Sequence, residues 1–283
     1  MKNIKLLSKA FTGCSLSVLL FLTACKKEVS PSSSKVFSVK SNSSKNITKT
    51  SAVTYQLQWS DEFNGTSVNT ADWNFEIGGG GWGNNEKQYY KAENATVSGG
   101  FLVITAKKER VKANNYTSAR LNTKAKREFT YGKIEARMKL PMVQGLWPAF
   151  WMLGSNISTV GWPACGEIDI MEHINTSQDV LGTAHWNGPN GYVYNSVSKA
   201  TTPSDFHIYS IEWSATAINW FIDGVLFHSL DITNNVNSTE EFQKPFYILL
   251  NLAVGGNLPG QTIDDTKLPA SVSVDYVRVY NAI

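Results

Sequence analysis

The sequence predicts an all-β fold, an antiparallel sandwich, and three observations carry that reading. From Tyr55 onward the apolar residues come in short runs, either continuous or alternating with polar ones. Most runs are bounded by Gly, Asn, Asp or Pro, the residues that turn a chain between strands. Helical periodicity is scarce, and many strands with few helices bury their apolar faces as sheet against sheet. In chain order the runs are Phe101 to Ala106, Gly132 to Met138, His207 to Trp213, Ile218 to Ile222 and Val272 to Tyr280. Asp223-Gly224 reads as a tight hairpin turn joining two of them. One short helical turn is expected near Asn237 to Phe242.

The chain has 283 residues, enough for one sizeable domain with appendages. Lys2, Lys5 and Lys9 form a basic start, and Phe11 to Ala24 is apolar but too short to span a bilayer comfortably. Residues 1–24 therefore read as an export signal. Leu22-Thr23-Ala24-Cys25 resembles a bacterial lipobox, which implies a lipid on Cys25 as the first residue after cleavage. An ordinary secretory signal with an incidental cysteine is the alternative, and Leu22 three positions before Cys25 weighs against it. Residues 25–53 are rich in Ser, Lys, Asn and Thr with few apolar residues, the composition of a flexible tether. Residues 54–283 form the domain. Cys14 would leave with the signal, so Cys165 is the only thiol of the domain and no disulfide is expected within it. A small buried neighbour is the expected role for Cys165. The net charge is only +3 and no basic stripe runs along the chain, so nucleic acid is not an expected partner.

Chemistry concentrates in Gly166-Glu167-Ile168-Asp169-Ile170-Met171-Glu172, three carboxylates separated by large apolar side chains. Side chains on a strand alternate faces, so Glu167 and Asp169 share one face while Ile168 and Ile170 enter the core. Strict alternation would bury Glu172. A β-bulge after Asp169, with Met171 as the extra residue, returns Glu172 to the acidic face. Two carboxylates on such a strand can lie about 5–5.5 Å apart, the separation of a retaining glycosidase. A solvated charged face and a metal site are the competing readings. The first usually mixes Lys or Arg among its acids, and this strand has none; the second lacks a nearby cluster of further ligands.

Glu167-Ile168-Asp169-Ile170-Met171-Glu172 resembles the active-site strand of glycoside hydrolase family 16, in the bulged wording of its laminarinase-type branch. Gly81-Trp82-Gly83-Asn84-Asn85-Glu86-Lys87-Gln88-Tyr89-Tyr90 is similar to that branch's loop and strand near the non-reducing end of the cleft. Gly145 to Leu153 is similar to the strand preceding the catalytic one. Thr117 to Arg120, Gly182 to Trp186 and Val274 to Tyr280 also match, so the resemblance runs in family order from about Trp59 to Tyr280. It implies a β-jelly roll of concanavalin A type, two antiparallel sheets with an open concave cleft.

The resemblance further implies that Glu167 is the nucleophile, Asp169 the assisting aspartate and Glu172 the general acid/base. It implies sugar-binding rings at Trp147, Trp151 and Trp162, and polar contacts from Asn84, Arg120 and His185. The sequence holds 9 Trp and 11 Tyr. Most aromatics fill cores, and Trp59, Trp73, Trp213 and Trp220 are placed there. Trp82 flanks a matching segment and joins the cleft candidates. The implied activity is retaining endo-hydrolysis of laminarin-like β-1,3-glucan, and of mixed-linkage β-1,3-1,4-glucan. The alternatives are a galactan hydrolase of the same family, of agarase or carrageenase type, and a non-catalytic glucan-binding surface lipoprotein. The last predicts loss of one catalytic glutamate, and both are present. No cofactor is implied for catalysis. The family often carries a structural calcium, and Glu62, the carbonyl of Gly100 and Asp275 fall where its ligands lie. The partners implied are the β-glucan itself and, through the anchor, a bacterial membrane, most simply the outer membrane or cell surface, with the domain a monomer.

Overall fold

The structure is a computed structural model that describes residues 53–283. The expectations for the export signal, for Cys25 and for nearly all of the tether lie outside the described residues. Eighteen strands follow one another as β1 (Tyr55–Asp61), β2 (Asn74–Phe75), β3 (Gln88–Tyr90), β4 (Ala95–Ser98), β5 (Phe101–Ala106), β6 (Tyr116–Ser118), β7 (Arg120–Asn122), β8 (Glu128–Phe129), β9 (Gly132–Lys139), β10 (Leu146–Gly154), β11 (Glu167–His173), β12 (Asp179–Gly188), β13 (Gly191–Ala200), β14 (His207–Trp213), β15 (Ala217–Ile222), β16 (Val225–Asp231), β17 (Phe246–Val254) and β18 (Ala270–Ala282).

Sixteen of them form two large antiparallel sheets, and β3 and β6 pair with each other in parallel. One has the order β16-β15-β14-β9-β18-β5-β4, with β1 also paired to β18. The other has the order β13-β12-β11-β10-β17-β7-β2, with β8 also paired to β17. The strand content, the two sheets and the sequential neighbours that cross between them are those of the jelly-roll sandwich the sequence implies. The five runs read from the sequence are all strands, lengthened at most by a few residues. Asp223 (φ 51°) and Gly224 (φ 77°) both take the left-handed conformation that a two-residue hairpin of the favoured twist demands. The helical turn is a 3₁₀ segment at Glu240–Gln243.

The core lies between the sheets. Trp59, Trp73, Trp213 and Trp220 are all buried in it. β17 shows how a central strand serves both faces: Phe246, Ile248, Leu250, Leu252 and Val254 enter the main core, while Tyr247 and Leu249 pack with Leu153 and Cys165 on the opposite face. Every residue of β17 is buried, as expected of a strand covered on both sides. Cys165 is fully buried and unpaired, as its sequence position suggested. Among the described residues no helix is long and apolar enough to cross a membrane.

The expected calcium ligands are engaged otherwise. Both carboxylate oxygens of Glu62 accept from the Arg278 guanidinium, each at 2.8 Å. Asp275 Oδ2 accepts from Arg137 Nη1 at 2.6 Å. As carboxylate ligands these residues do not fit a cation, because a guanidinium already neutralises each of them.

Candidate active site

The site is built on β11 and begins with its bulge. Against β12, Asp169 pairs with Thr183 and Glu172 with Leu181, so Ile170 and Met171 together face Gly182. Against β10, Phe150 pairs with Met171 and Trp151 with Asp169, which leaves Ile170 as the skipped residue. Ile168, Ile170 and Met171 are all buried in the core. Two consecutive core-facing residues are what restore Glu172 to the face of Glu167 and Asp169. The sequence reading assigned the extra residue to Met171; the β10 register assigns it to Ile170, with the same result for the acids.

A bulge leaves backbone groups without ladder partners. Here Trp220 reaches across the sandwich from β15 and donates its indole N–H to the Asp169 carbonyl at 2.8 Å. Gly182 permits that approach, since a Cβ there would stand 2.7 Å from Trp220 Cδ1 and 2.9 Å from Phe227 Cζ. The apolar core thus fixes the backbone that aims the acids.

The acids open into a cleft of about 740 Å³ on the outer face of the second sheet, and all three acids and all seven predicted cleft residues line it. Trp162 Nε1 donates to Glu167 Oε2 at 2.9 Å, and Trp147 Nε1 donates to Glu172 Oε1 at 2.9 Å. His185 Nε2 lies 3.1 Å from Asp169 Oδ2 and 3.9 Å from Glu167 Oε1. Its Nδ1 is 2.7 Å from the Tyr192 hydroxyl. Donor and acceptor in the His185–Tyr192 pair depend on the imidazole tautomer. Glu167, Asp169 and His185 present donor atoms within 4.8 Å of one another. The Trp162 and Trp147 indole N–H groups serve Glu167 and Glu172, while His185 Nε2 stands 3.1 Å from Asp169 Oδ2 without an aligned hydrogen bond.

Burial pushes the Glu167 carboxyl up to about 8; the Asp169 charge adds to this, while His185 and the Trp162 N–H oppose it. Burial also raises Asp169 to about 8. Glu172 reaches about 8 through burial and then the Asp169 charge, with the Trp147 N–H pulling it back. Three acids in such contact titrate as a set and cannot all ionise together. His185 Nε2 lies within 4 Å of Glu167 and Asp169.

The far arm of the cleft crosses β10, β17 and β7. Trp151 Nε1 donates to Asn251 Oδ1 at 2.7 Å. The Arg120 guanidinium lies between the rings of Trp82 (5.1 Å) and Trp151 (4.8 Å) and pairs with Glu76. Arg120 thus braces the aromatic wall, and its ion pair is with Glu76 and not with the acids of β11. Asn84 sits in the loop above, and its carbonyl accepts from Asn257 N at 2.7 Å. Several lining residues escaped the sequence reading. Glu86 is buried, accepts from the Tyr90 hydroxyl at 3.0 Å and is raised in pKa by its burial. Asn251 could have been found as the one polar residue inside the run Phe246 to Val254. Tyr192 and Tyr194, from β13, form part of the wall on the other side of the acids.

The sequence profile of Glycosyl hydrolases family 16 matches residues 83–278. The chain belongs to glycosyl hydrolase family 16. The hydrolase is 41% identical to the beta-glucanase of Rhodothermus marinus over 80% of its own length and 85% of that protein. It is 48% identical to the clotting factor G alpha subunit of Tachypleus tridentatus over 80% of its length. It spans about a third (34%) of that longer relative. Among solved structures, the laminarinase catalytic domain of Thermotoga maritima superposes with a TM-score of 0.75 at 43% identity, covering 81% of the hydrolase and 99% of that domain. The profile covers the acidic strand, the cleft loop from Gly83 and most of the closing strand, so the family's match contains every cleft-lining residue named above except Trp82.

Proposed function

We propose that the hydrolase is an endo-acting β-1,3-glucanase that cleaves laminarin-like glucan with retention, and mixed-linkage β-1,3-1,4-glucan as well. The observation that carries this reading is the bulged strand, which sets Glu167 and Glu172 on one cleft face around Asp169, each with an indole N–H on its carboxylate. The similarity to the Rhodothermus beta-glucanase and the Thermotoga laminarinase domain supports the linkage.

In the proposed first step the Glu167 carboxylate attacks the anomeric carbon, the bond from that carbon to the leaving oxygen breaks, and the Glu172 proton passes to that oxygen. In the second, water attacks the same carbon and gives its proton to Glu172, and the bond to Glu167 breaks. Asp169 and His185 share the charge beside Glu167 and keep the two glutamates in opposite protonation states. Trp147 tunes the acid. Its N–H favours the ionised form of Glu172, so Trp147→Phe is expected to move the alkaline limb of the kcat/KM profile to higher pH; an unmoved limb would remove Trp147 from this role.

The test is a reducing-end assay on laminarin, lichenan and agarose in parallel, with Glu167→Gln as the blank. Short oligosaccharides from laminarin and lichenan, absent from the blank, are expected. Cleavage of agarose alone would transfer the same acids to a galactan.

The anchor belongs to this proposal too. The basic start, the short apolar stretch and Leu22 to Cys25 support a lipid on Cys25 and display at a bacterial membrane surface. Metabolic labelling with a fatty acid is expected to mark the full chain and to be lost in Cys25→Ala. A structural calcium near Glu62, Gly100 and Asp275 would have to rest on main-chain oxygens, given the arginine pairs. A Tm that falls in EDTA at unchanged turnover is its signature.

A further inference from the structure

The turn after β11 carries an asparagine that does not line the cleft and that neither step of the reaction uses. Asn175 stands three residues after Glu172 in left-handed backbone (φ 60°), a conformation that Gly and Asn tolerate and most residues do not. Its main-chain N–H donates to the Leu146 carbonyl at 3.0 Å. Its Oδ1 accepts from Gly145 N at 2.7 Å and from Gln144 Nε2 at 2.9 Å. Its Nδ2 donates to the Pro259 carbonyl at 3.0 Å. Two donors on one side and a carbonyl on the other fix which way the amide faces. One short side chain thus ties the end of β11 to the start of β10 and to the loop after β17. That takes an acceptor and a donor on one amide.

That loop, residues 255–261, bears on the acid. Its flanks are fixed beside the start of β10: Gly255 N donates to the Gly145 carbonyl at 2.7 Å, and Asp264 N to the Gln144 carbonyl at 3.0 Å. Toward the cleft its middle meets the loop before β3, where Asn257 N donates to the Asn84 carbonyl at 2.7 Å and Asn85 Nδ2 to Asn257 Oδ1 at 2.8 Å. From the sheet side, Asn175 holds the middle at Pro259, which is buried. Between these anchors the Gly256 backbone lies on the Trp147 ring. A Cβ there would stand 3.2 Å from Trp147 Cε3 and Cζ3, and the backbone takes φ 134°, where residues with side chains rarely go. Trp147 Nε1 in turn donates to Glu172 Oε1 at 2.9 Å. Asn175 therefore closes the contacts on both sides of Trp147: the main chain just before it, at Gly145 and Leu146, and the loop over its ring.

We propose that Asn175 is a positioning residue for the acid of the reaction: it latches the 255–261 loop to the catalytic sheet, so that Gly256 keeps Trp147 against Glu172. This rests on the function proposed above, in which Glu172 delivers the proton. The side-chain bonds of Asn175 go to Gly145, Gln144 and Pro259 and to none of the three acids, so its effect passes through packed main chain. A loop released from Asn175 lets the indole move, and a displaced Trp147 no longer fixes which way the Glu172 carboxyl faces. A shift of about 1 Å in a reacting group is worth up to about 10²-fold in rate.

Asn175→Gly in the full chain is the test, because Gly keeps the left-handed backbone and removes only the amide. On laminarin its kcat is expected to fall about 10-fold. On a dinitrophenyl glycoside of a laminari-oligosaccharide, whose phenolate departs without a proton, the first phenolate release is expected to stay within about twofold of wild type. A merely structural role slows both substrates alike. In a Trp147→Phe background Asn175→Gly is expected to add little, since the two residues act through one contact. Amide hydrogen exchange of residues 255–261, measured without substrate, is expected to quicken at least about threefold. Asn175→Asp keeps both accepted bonds and loses only the one to Pro259, and it is expected to show the same faster exchange. Unchanged laminarin turnover, equal losses on the two substrates, a full further loss in the Trp147→Phe background, or unchanged exchange in either variant overturns the latch. A wild-type protein that cuts neither substrate overturns the proposed function instead and leaves the exchange result standing, so the two failures are separate.

Discussion

Replacing Glu167 by Gln is expected to lower kcat on laminarin by more than about 10⁴-fold, because no carboxylate then remains to form the covalent intermediate. Glu172→Gln is expected to fall by about 10²–10⁴-fold, the range for a lost general acid/base. The two losses differ in kind, and leaving-group chemistry separates them. A dinitrophenyl glycoside departs without a proton, so Glu172→Gln should form the glycosyl-enzyme from it at close to the wild-type rate, seen as a burst of phenolate. Glu167→Gln should give no burst. The fold supports both variants, since Gln keeps an oxygen for the Trp162 and Trp147 N–H groups. A burst from Glu167→Gln, or near-normal laminarin turnover in either variant, would exchange or cancel the assigned roles.

The same substitutions are expected to stabilise the protein at alkaline pH. Burial raises Glu172 from 4.5 to about 8. The folded state therefore holds a proton that the unfolded chain releases as pH climbs through that window. Below about pH 4.5 both states are protonated and the group costs nothing. Between 4.5 and 8 the cost grows with pH, and above 8 it is constant. An amide carries no such cost, at about 1.4 kcal/mol for each tenfold difference in ionisation. Glu172→Gln is thus expected to melt about 10 °C above the wild type at pH 8 and level with it near pH 4. An equal Tm at both pH values would mean that the acid is not strained by its site. Two buried acids and a half-buried one within one strand are a stability cost that the core around them must offset.

That core explains what could and could not be read in the sequence. The acids were legible because Ile168, Ile170 and Met171 mark the buried face around them, and a count of faces required a bulge before Glu172 could join Glu167. Asp223-Gly224 was legible because few residues other than Asn, Asp and Gly accept left-handed backbone in succession. What holds the bulge was not legible. Trp220 is one of several core tryptophans in the sequence, and only the packing of β15 against β11 turns its indole toward the Asp169 carbonyl. β13 was missed as well. Its residues from Tyr194 to Ala200 are all exposed, so no apolar face announces a strand, and its place is fixed by pairing with β12. The calcium expectation shows the opposite limit: Glu62 and Asp275 stand where ligands are expected, but Arg278 and Arg137 lie beside them in space while distant in sequence from one or both.

The account's central claim is retention on β-1,3-glucan, and proton NMR of the anomeric region during laminarin cleavage tests it most directly. New reducing ends are expected first as the β-anomer, with the α-anomer appearing later at the rate of mutarotation. The α-anomer appearing first, or no new reducing ends at all from the folded protein, would contradict the account.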